Sequence, residues 1–331
     1  MSETKTDVLG IGNAIVDVLS RTDDGFLNDR GIAKGSMQLI DEDQAASLYH
    51  DMGPAIEMSG GSAANTIAGL ASFGAKGAFT GKVRNDQLGD VFSHDIRSIG
   101  VDFETQAAVI GPATARCMVL VTPDGERTMN TYLGASTGLG PDDVNEDQIA
   151  SAKITYLEGY LWDPPEAKEA FLKAARTARQ AGRDVALTLS DPFCVERHRD
   201  EFLDLVRNEI GIVFANEAEI MSLYQVQSFD DALQAVKRDC SLAVLTRSAA
   251  GCVIAEGDEV HVVEAFKVDE VVDTTGAGDL FAAGFLFGLT QGKPLAQCGR
   301  LGALAASEII SHVGARPEAG LSALAASHGL M

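Results

Sequence analysis

Asp279 closes the segment Asp273-Thr-Thr-Gly-Ala-Gly-Asp279, which follows the run 268–272 and leads into a helical pattern over 280–286. Gly276, Ala277 and Gly278 therefore stand at a helix N-terminus, where unpaired N–H groups and the helix dipole favour an anion. Their small side chains let a phosphate approach the backbone closely. A carboxylate beside such a hole adds nothing to anion binding. It does suit a general base, which takes the proton of a hydroxyl as that hydroxyl attacks a phosphoryl group held by the N–H groups. The plainer alternative is a first-turn acid that caps its own helix.

Three further groups of residues could share in such chemistry. Gly60-Gly-Ser-Ala-Ala-Asn65 is a second glycine turn entering a helix. Gly60 and Gly61 would let the backbone touch a hydroxylated substrate, and Asn65 can both donate and accept; tight helix packing behind a turn explains the same residues equally well. In Gly10-Ile-Gly12-Asn-Ala-Ile-Val-Asp17 the third glycine of a dinucleotide fingerprint is replaced by Ile15, so that reading is weak. Asn13 and Asp17 instead suggest a pair that binds hydroxyls, with surface turn residues as the alternative. Asn216-Glu-Ala-Glu219 opens a helix after an apolar run. Asn216 is a good N-cap. At the C-terminal edge of a parallel sheet, Asn216 and Glu219 could also organise a hydrated Mg²⁺ near nucleotide phosphates.

The elements needed to position these residues are visible as alternation. Apolar runs at 8–11, 78–80, 154–157, 185–189, 212–215 and 243–246 read as buried strands, and 64–73, 88–99, 167–181 and 229–237 have helical spacing. This predicts a three-layer α/β/α fold around a mainly parallel sheet. Extended runs at 115–121 and 127–132 flank Pro123-Asp-Gly125 and predict a β-hairpin. With the early segment they suggest a small β-sheet lid, drawn from about 14–42 and 103–134, on a single domain spanning 1–331. Such a sheet could close over substrate, or serve as a surface or dimer contact. A second hairpin, 252–255 with 260–263, reads as a sheet edge.

Composition narrows the function classes. The 331 residues are 46% hydrophobic, enough for a large core, and carry 48 acids against 26 bases, a net charge of −22. Such a surface repels nucleic acid and anionic membranes. No apolar run is long enough for a bilayer, and the N-terminus lacks a basic segment followed by an apolar one. Five scattered cysteines without a Cys-x-x-Cys pair read as reduced core thiols, so a cytoplasmic protein is expected. Its partner would be a small molecule; monomer and homodimer both remain open.

Taken together and in this order, Gly60 to Gly89, Asn216-Glu-Ala-Glu219 and 273–286 resemble the ribokinase-like (PfkB) carbohydrate and nucleoside kinase family. The resemblance implies ATP and Mg²⁺, a β-lid, and transfer of the γ-phosphoryl group to a primary hydroxyl. It makes Asp279 the base, and Gly276, Ala277, Gly278 and the Asp279 amide the anion hole. It places Asp17, Gly61 and Asn65 on ribose-type hydroxyls, and Thr246 and Gly251 near the nucleotide, with Ser248 where the family often has glycine. Asp273 and Thr275 could supply a monovalent cation site, for potassium. Within the family, Gly12 to Asp17, Gln38-Leu-Ile40 and Leu189-Ser-Asp-Pro-Phe193 look more like adenosine kinases than ribokinases. Phe193 could stack on a purine, with Tyr160 and Trp162 as further walls. Gln38 could meet a base edge, and Arg127 could reach the transferring phosphate. The expected reaction is adenosine to AMP. The alternatives are a sugar kinase acting on ribose, fructose or a keto-acid sugar and, more distantly, a non-catalytic binding protein.

Overall fold

Two sheets organise the chain in the computed structural model, which describes residues 4–331. The strands are β1 (Thr6–Ile11), β2 (Ile15–Arg21), β3 (Met37–Leu39), β4 (Ala55–Gly60), β5 (Gly77–Thr80), β6 (Ala115–Val121), β7 (Arg127–Tyr132), β8 (Ala152–Glu158), β9 (Asp184–Thr188), β10 (Ile212–Asn216), β11 (Leu242–Thr246), β12 (Cys252–Glu256) and β13 (Glu259–Val263). The large sheet has the order β13-β12-β11-β10-β9-β8-β1-β5. It is parallel from β5 to β11, and β12 and β13 add an antiparallel edge.

Alternation along each strand divides the core in two, as a sheet covered on both faces requires. Val8, Tyr156 and Phe214 pack on one side with helices Ser62–Ser72, Ala277–Thr290 and Leu295–Ile309. Leu9, Leu157 and Val213 pack on the other with helices Pro165–Gln180 and Pro192–Asn208. The fold is the three-layer α/β/α arrangement. None of the described helices is long and apolar enough to cross a membrane, and all five cysteines are buried free thiols.

The second sheet has the order β3-β7-β6-β2-β4. Beyond the expected hairpin β6–β7 it takes in β4, which pairs antiparallel with β2 and leads directly into Gly60. One face is covered: Val16, Val18, Met118 and Leu120 pack with Leu27, Ala45 and Leu48 of two short helices, Asp24–Asp29 and Glu42–Asp51. The opposite face carries Asp17, which pairs across with Cys117 and Met58; Cys117 pairs with Thr131, and Thr131 with Leu39. Around Asp17 this face is apolar and open, with Met37, Leu39 and Ile56 between 52% and 65% exposed.

Residues 268–272 form no strand; they run irregularly from β13 to the Asp273 turn, tied to the chain by Val272 N–H donating to Ile310 O at 2.8 Å. Both Val271 and Val272 are exposed, so the run has no sheet to join.

Candidate active site

The loop after residue 272 turns into helix Ala277–Thr290 through Gly276, whose φ of 77° is left-handed, a conformation that costs glycine little. No side chain caps this helix; Ala277 N–H donates to Thr274 O at 3.2 Å, and the other first-turn N–H groups make a candidate anion hole. No heavy atom lies within 4 Å of where a Cβ would stand on Gly278, leaving room for a phosphate. Asp279 does not turn back to cap its own helix. Its Oδ1 accepts from Ser62 Oγ at 2.6 Å and its Oδ2 from Asn65 Nδ2 at 3.2 Å, so the carboxylate belongs to the mouth between two helices. Burial raises the pKa of Asp279, opposed by these two hydrogen bonds and by the charge of Arg316. Asn65 Oδ1 is buried and has no hydrogen-bond partner among the described residues: an acceptor without a donor beside the candidate base.

Helix Ser62–Ser72 also begins without a cap of its own, at Gly61 with φ 100°. A Cβ there would stand 2.1 Å from Asn13 O, which excludes any other residue. The missing cap comes from across the sheet. Glu158, the last residue of β8, accepts from Ala63 N–H at Oε2 (2.8 Å) and from Asn13 Nδ2 at Oε1 (2.8 Å). Its burial drives its pKa up to about 7. Gly12 must be glycine for the same reason, since a Cβ would meet Glu158 Oε2 at 2.2 Å.

Asp17 sits over this turn. A Cβ on Gly60 would stand 2.3 Å from its carboxylate, so the glycine makes room for the acid. Burial pushes Asp17 up to about 6, with Arg316 and Arg127 pulling it down and Asp279 pushing it up. On β7, Arg127 reaches from the small sheet to the Asp273 turn and forms an ion pair with Asp273, both side chains less than a tenth exposed. Asn216 and Glu219 form a reciprocal capping box. Glu219 is raised to about 7 by burial, despite the Asn216 backbone bond, and is pushed further by the charge of Asp191. Thr246 pairs with Asn216 at the same sheet edge.

The pfkB family carbohydrate kinase profile matches residues 55–319. The chain belongs to this family. It is a phosphotransferase with an alcohol acceptor. Two solved structures are similar over nearly their whole length: a probable sugar kinase from Rhizobium etli, at 56% identity and TM-score 0.92, covering 99% of this chain and 100% of that one, and an adenosine kinase from Sinorhizobium meliloti, at 55% and 0.91, covering 98% and 100%. An ATP-dependent ribose-1-phosphate kinase from Halopiger xanaduensis is 33% identical over 242 residues, 70% of this chain and 73% of that protein.

In this pfkB kinase the structure gathers Asp17, Gly60, Gly61, Asn65, Gly276, Ala277, Gly278 and Asp279 at one mouth, with Asn216, Glu219 and Thr246 farther along the sheet edge. Several other expected roles need correction. Asn13 is 2% exposed; its Nδ2 donates to Glu158 and its Oδ1 accepts from Ser136 Oγ at 2.8 Å, so it braces the turn instead of offering itself to a hydroxyl. Gln38 pairs across with Asn130, donating to Asn130 Oδ1 at 2.6 Å. The pleat therefore puts it on the face opposite Asp17, and its neighbours Met37 and Leu39 occupy the open face. Phe193 is 74% exposed and forms no slot. Trp162 is buried against Phe171 and Phe202; of the three aromatics, Tyr160 is the one that faces the site's acids.

The monovalent cation reading of Asp273 and Thr275 also fails in this arrangement. Asp273 Oδ1 accepts from Thr275 N–H at 3.0 Å, and Oδ2 accepts from Gly314 N–H at 3.0 Å and from Arg127. A guanidinium already supplies the positive charge. At the nucleotide loop, Ser248 takes φ 49°, the left-handed conformation that the family's glycine would adopt without strain, and Gly251 must stay glycine because a Cβ would meet Val263 O at 2.0 Å. The sequence reading missed Ser62, Glu158 and Arg316. Ser62 was inside a motif already singled out, and its position one residue past the turn could have flagged it. Glu158, a lone acid ending an apolar strand, was a weaker signal. Arg316 had none.

Proposed function

We propose that this kinase transfers the γ-phosphoryl group of ATP to the 5′-hydroxyl of adenosine, giving AMP and ADP. The observation that carries the reading is Asp279 turned away from its own helix onto Ser62 and Asn65, where its free edge faces an acceptor hydroxyl. The hydroxyl oxygen attacks the γ-phosphorus and its proton passes to Asp279. The bond to the β-phosphate oxygen breaks and ADP leaves. The N–H groups of Gly278 and Asp279 receive the charge of the transferring group. A base whose pKa is raised by burial is matched to neutral pH.

Asp17 and the unpartnered Asn65 Oδ1 would take the ribose hydroxyls. The apolar face around Asp17, with Met37, Leu39, Ile56 and Met58, supports an acceptor that carries a flat apolar group, as a nucleobase does and a free sugar does not. The small sheet would then act as a lid, and Arg127 would exchange Asp273 for phosphate as it closes. A hydrated Mg²⁺ arriving with the triphosphate would be held through water by Asp191 and Glu219, whose mutual repulsion it would relieve. Bound there, Mg²⁺ would neutralise phosphate charge.

Likeness to the S. meliloti adenosine kinase supports the purine. The R. etli protein named a probable sugar kinase and the ribose-1-phosphate kinase of H. xanaduensis support the second reading, a sugar or sugar-phosphate acceptor. An ADP-release assay across adenosine, other nucleosides, ribose, ribose 1-phosphate and fructose separates them. Turnover is expected to be fastest with adenosine; fast turnover of a sugar with none of adenosine would overturn the purine reading.

A further inference from the structure

Arg316 lies between helices Leu295–Ile309 and Leu321–Ser327, in a loop that the phosphoryl-transfer argument leaves unused. Its guanidinium is held on backbone. Nε and Nη2 donate to Ser59 O at 3.1 and 2.6 Å, Nη1 donates to Ala64 O at 3.0 Å, and Nη2 also donates to Ser59 Oγ at 2.9 Å. These contacts bracket the turn that carries Gly60, Gly61 and Ser62. Behind it, Asp95 Oδ2 accepts from Ser59 N–H at 2.8 Å and from Ser59 Oγ at 2.6 Å. Ser59 Oγ thus receives from Arg316 and gives to Asp95, joining the guanidinium to a carboxylate on helix Gln87–Ser98.

The same guanidinium faces the two acids of the site. Beside its hydrogen-bond partners Ser62 and Asn65, Asp279 feels the charges of Arg316, Asp17 and Glu158; Arg316 is the cation among them, and two further carboxylates raise the cost of ionising a third. Asp17 is faced by Arg316, Arg127, Asp279 and Cys117. Arg127 is already paired with Asp273, so the charge opposing Asp279 comes from Arg316.

We propose that Arg316 is a positioning residue for phosphoryl transfer, fixing the Ser59–Ala64 backbone and holding Asp279 ionised beside Asp17. The inference rests on Asp279 being the base. Its test is the pH profile of kcat/KM at saturating ATP, with the best acceptor from the screen. Arg316→Gln keeps amide donors for the carbonyls but loses the charge. The acid limb is expected to move up by about one pH unit or more. Arg316→Lys, which restores the charge, returns the limb to its original place.

Asp95→Asn removes the negative charge behind the guanidinium while keeping an acceptor for Ser59, and should move the limb a few tenths of a unit the other way, as a charge screened by intervening protein does. Opposite shifts are not what a purely structural brace would give. A limb that stays put in Arg316→Gln overturns the proposal; should that variant not fold, an unmoved limb in Asp95→Asn overturns it instead. Turnover surviving in Asp279→Asn would be a different failure, that of the base itself.

Discussion

The two sides of the candidate cleft are built in opposite ways. On the large-sheet side, Asn65 and Glu158 are buried, Asp279, Ser62 and Arg316 are half-buried, and all are joined by direct hydrogen bonds or facing charges. On the small-sheet side, Asp17 shares its face with Thr131 and Arg127, and the face is apolar and open at Met37, Leu39 and Ile56. Charged groups that take part in bond-making must be held before the substrate arrives, because reorganising them during the reaction is costly. An apolar wall has no such demand: it needs area and a shape that adapts. On the proposed function, the difference would separate what is common to the chemistry from what selects the acceptor.

The largest expected effect tests the rigid side. Asp279→Asn should lower kcat by about 10²–10⁴-fold while leaving acceptor binding nearly intact, read by steady-state kinetics and calorimetry. A kcat within threefold of wild type would remove the distinction, since the network would then not be catalytic. Next, Gly60→Ala drives a methyl into the Asp17 carboxylate. We expect a loss of about 1–3 kcal/mol in denaturant unfolding, together with a raised acceptor KM. An unchanged KM would mean that Asp17 does not touch the acceptor.

The adaptable side should answer differently. Leu39→Ala removes exposed apolar surface far from the base. It is expected to raise the adenosine KM by about 3–10-fold with kcat little changed, and to leave any residual ribose turnover alone. Equal losses on both acceptors would indicate that the face does not select the base.

Protonation links the rigid side to stability. Asp17 at about 6 and Glu158 and Glu219 at about 7 are all raised above their ordinary values by burial. Between roughly pH 4.5 and 7 the folded chain therefore holds protons that the unfolded chain has released. Stability from these groups is present at the acid end of that window and lost as pH rises through their folded values. The Tm should rise by a few degrees from pH 8 to pH 6, while activity, which needs ionised Asp279, falls. Glu219→Gln keeps the capping box and should flatten part of that slope; an identical slope would mean Glu219 does not titrate there. The smallest effect is Ser248→Gly, which relieves the left-handed strain and should stabilise by about 0.5–1 kcal/mol, measured by urea unfolding.

Legibility in the sequence followed this division only in part. The large sheet was readable because both its faces are buried, so that its strands are continuous apolar runs, and because helix-mouth chemistry demands glycines at fixed spacing: 60–65 and 273–279 were found from residue types alone. The small sheet was legible except for one strand: the hairpin β6–β7 and the segment holding β2 and β3 were expected, and β4 escaped. β4 reads Ala-Ile-Glu-Met-Ser-Gly, and the residues on its covered face, Ala55, Glu57 and Ser59, do not form an apolar series. Gln38 was expected at a base edge, but its direction depends on the register with β7, which only pairing sets. Phe193 was taken for a wall because aromatics usually bury themselves. Glu158 and Arg316 lie 95 and 252 residues from their partners Ala63 and Ala64, and nothing local marks such contacts.

The chain crosses between its two sheets at residues 12–14 and again at Gly60–Gly61. Glu158 grips both crossings, through Asn13 and Ala63. Any swing of the small sheet must bend at the same few peptides that aim Ser62 and Asn65 at Asp279. Hinge and trigger are one piece of backbone, so an engineer who speeds product escape by loosening it would also detune proton transfer, and directed evolution should find these two traits hard to separate.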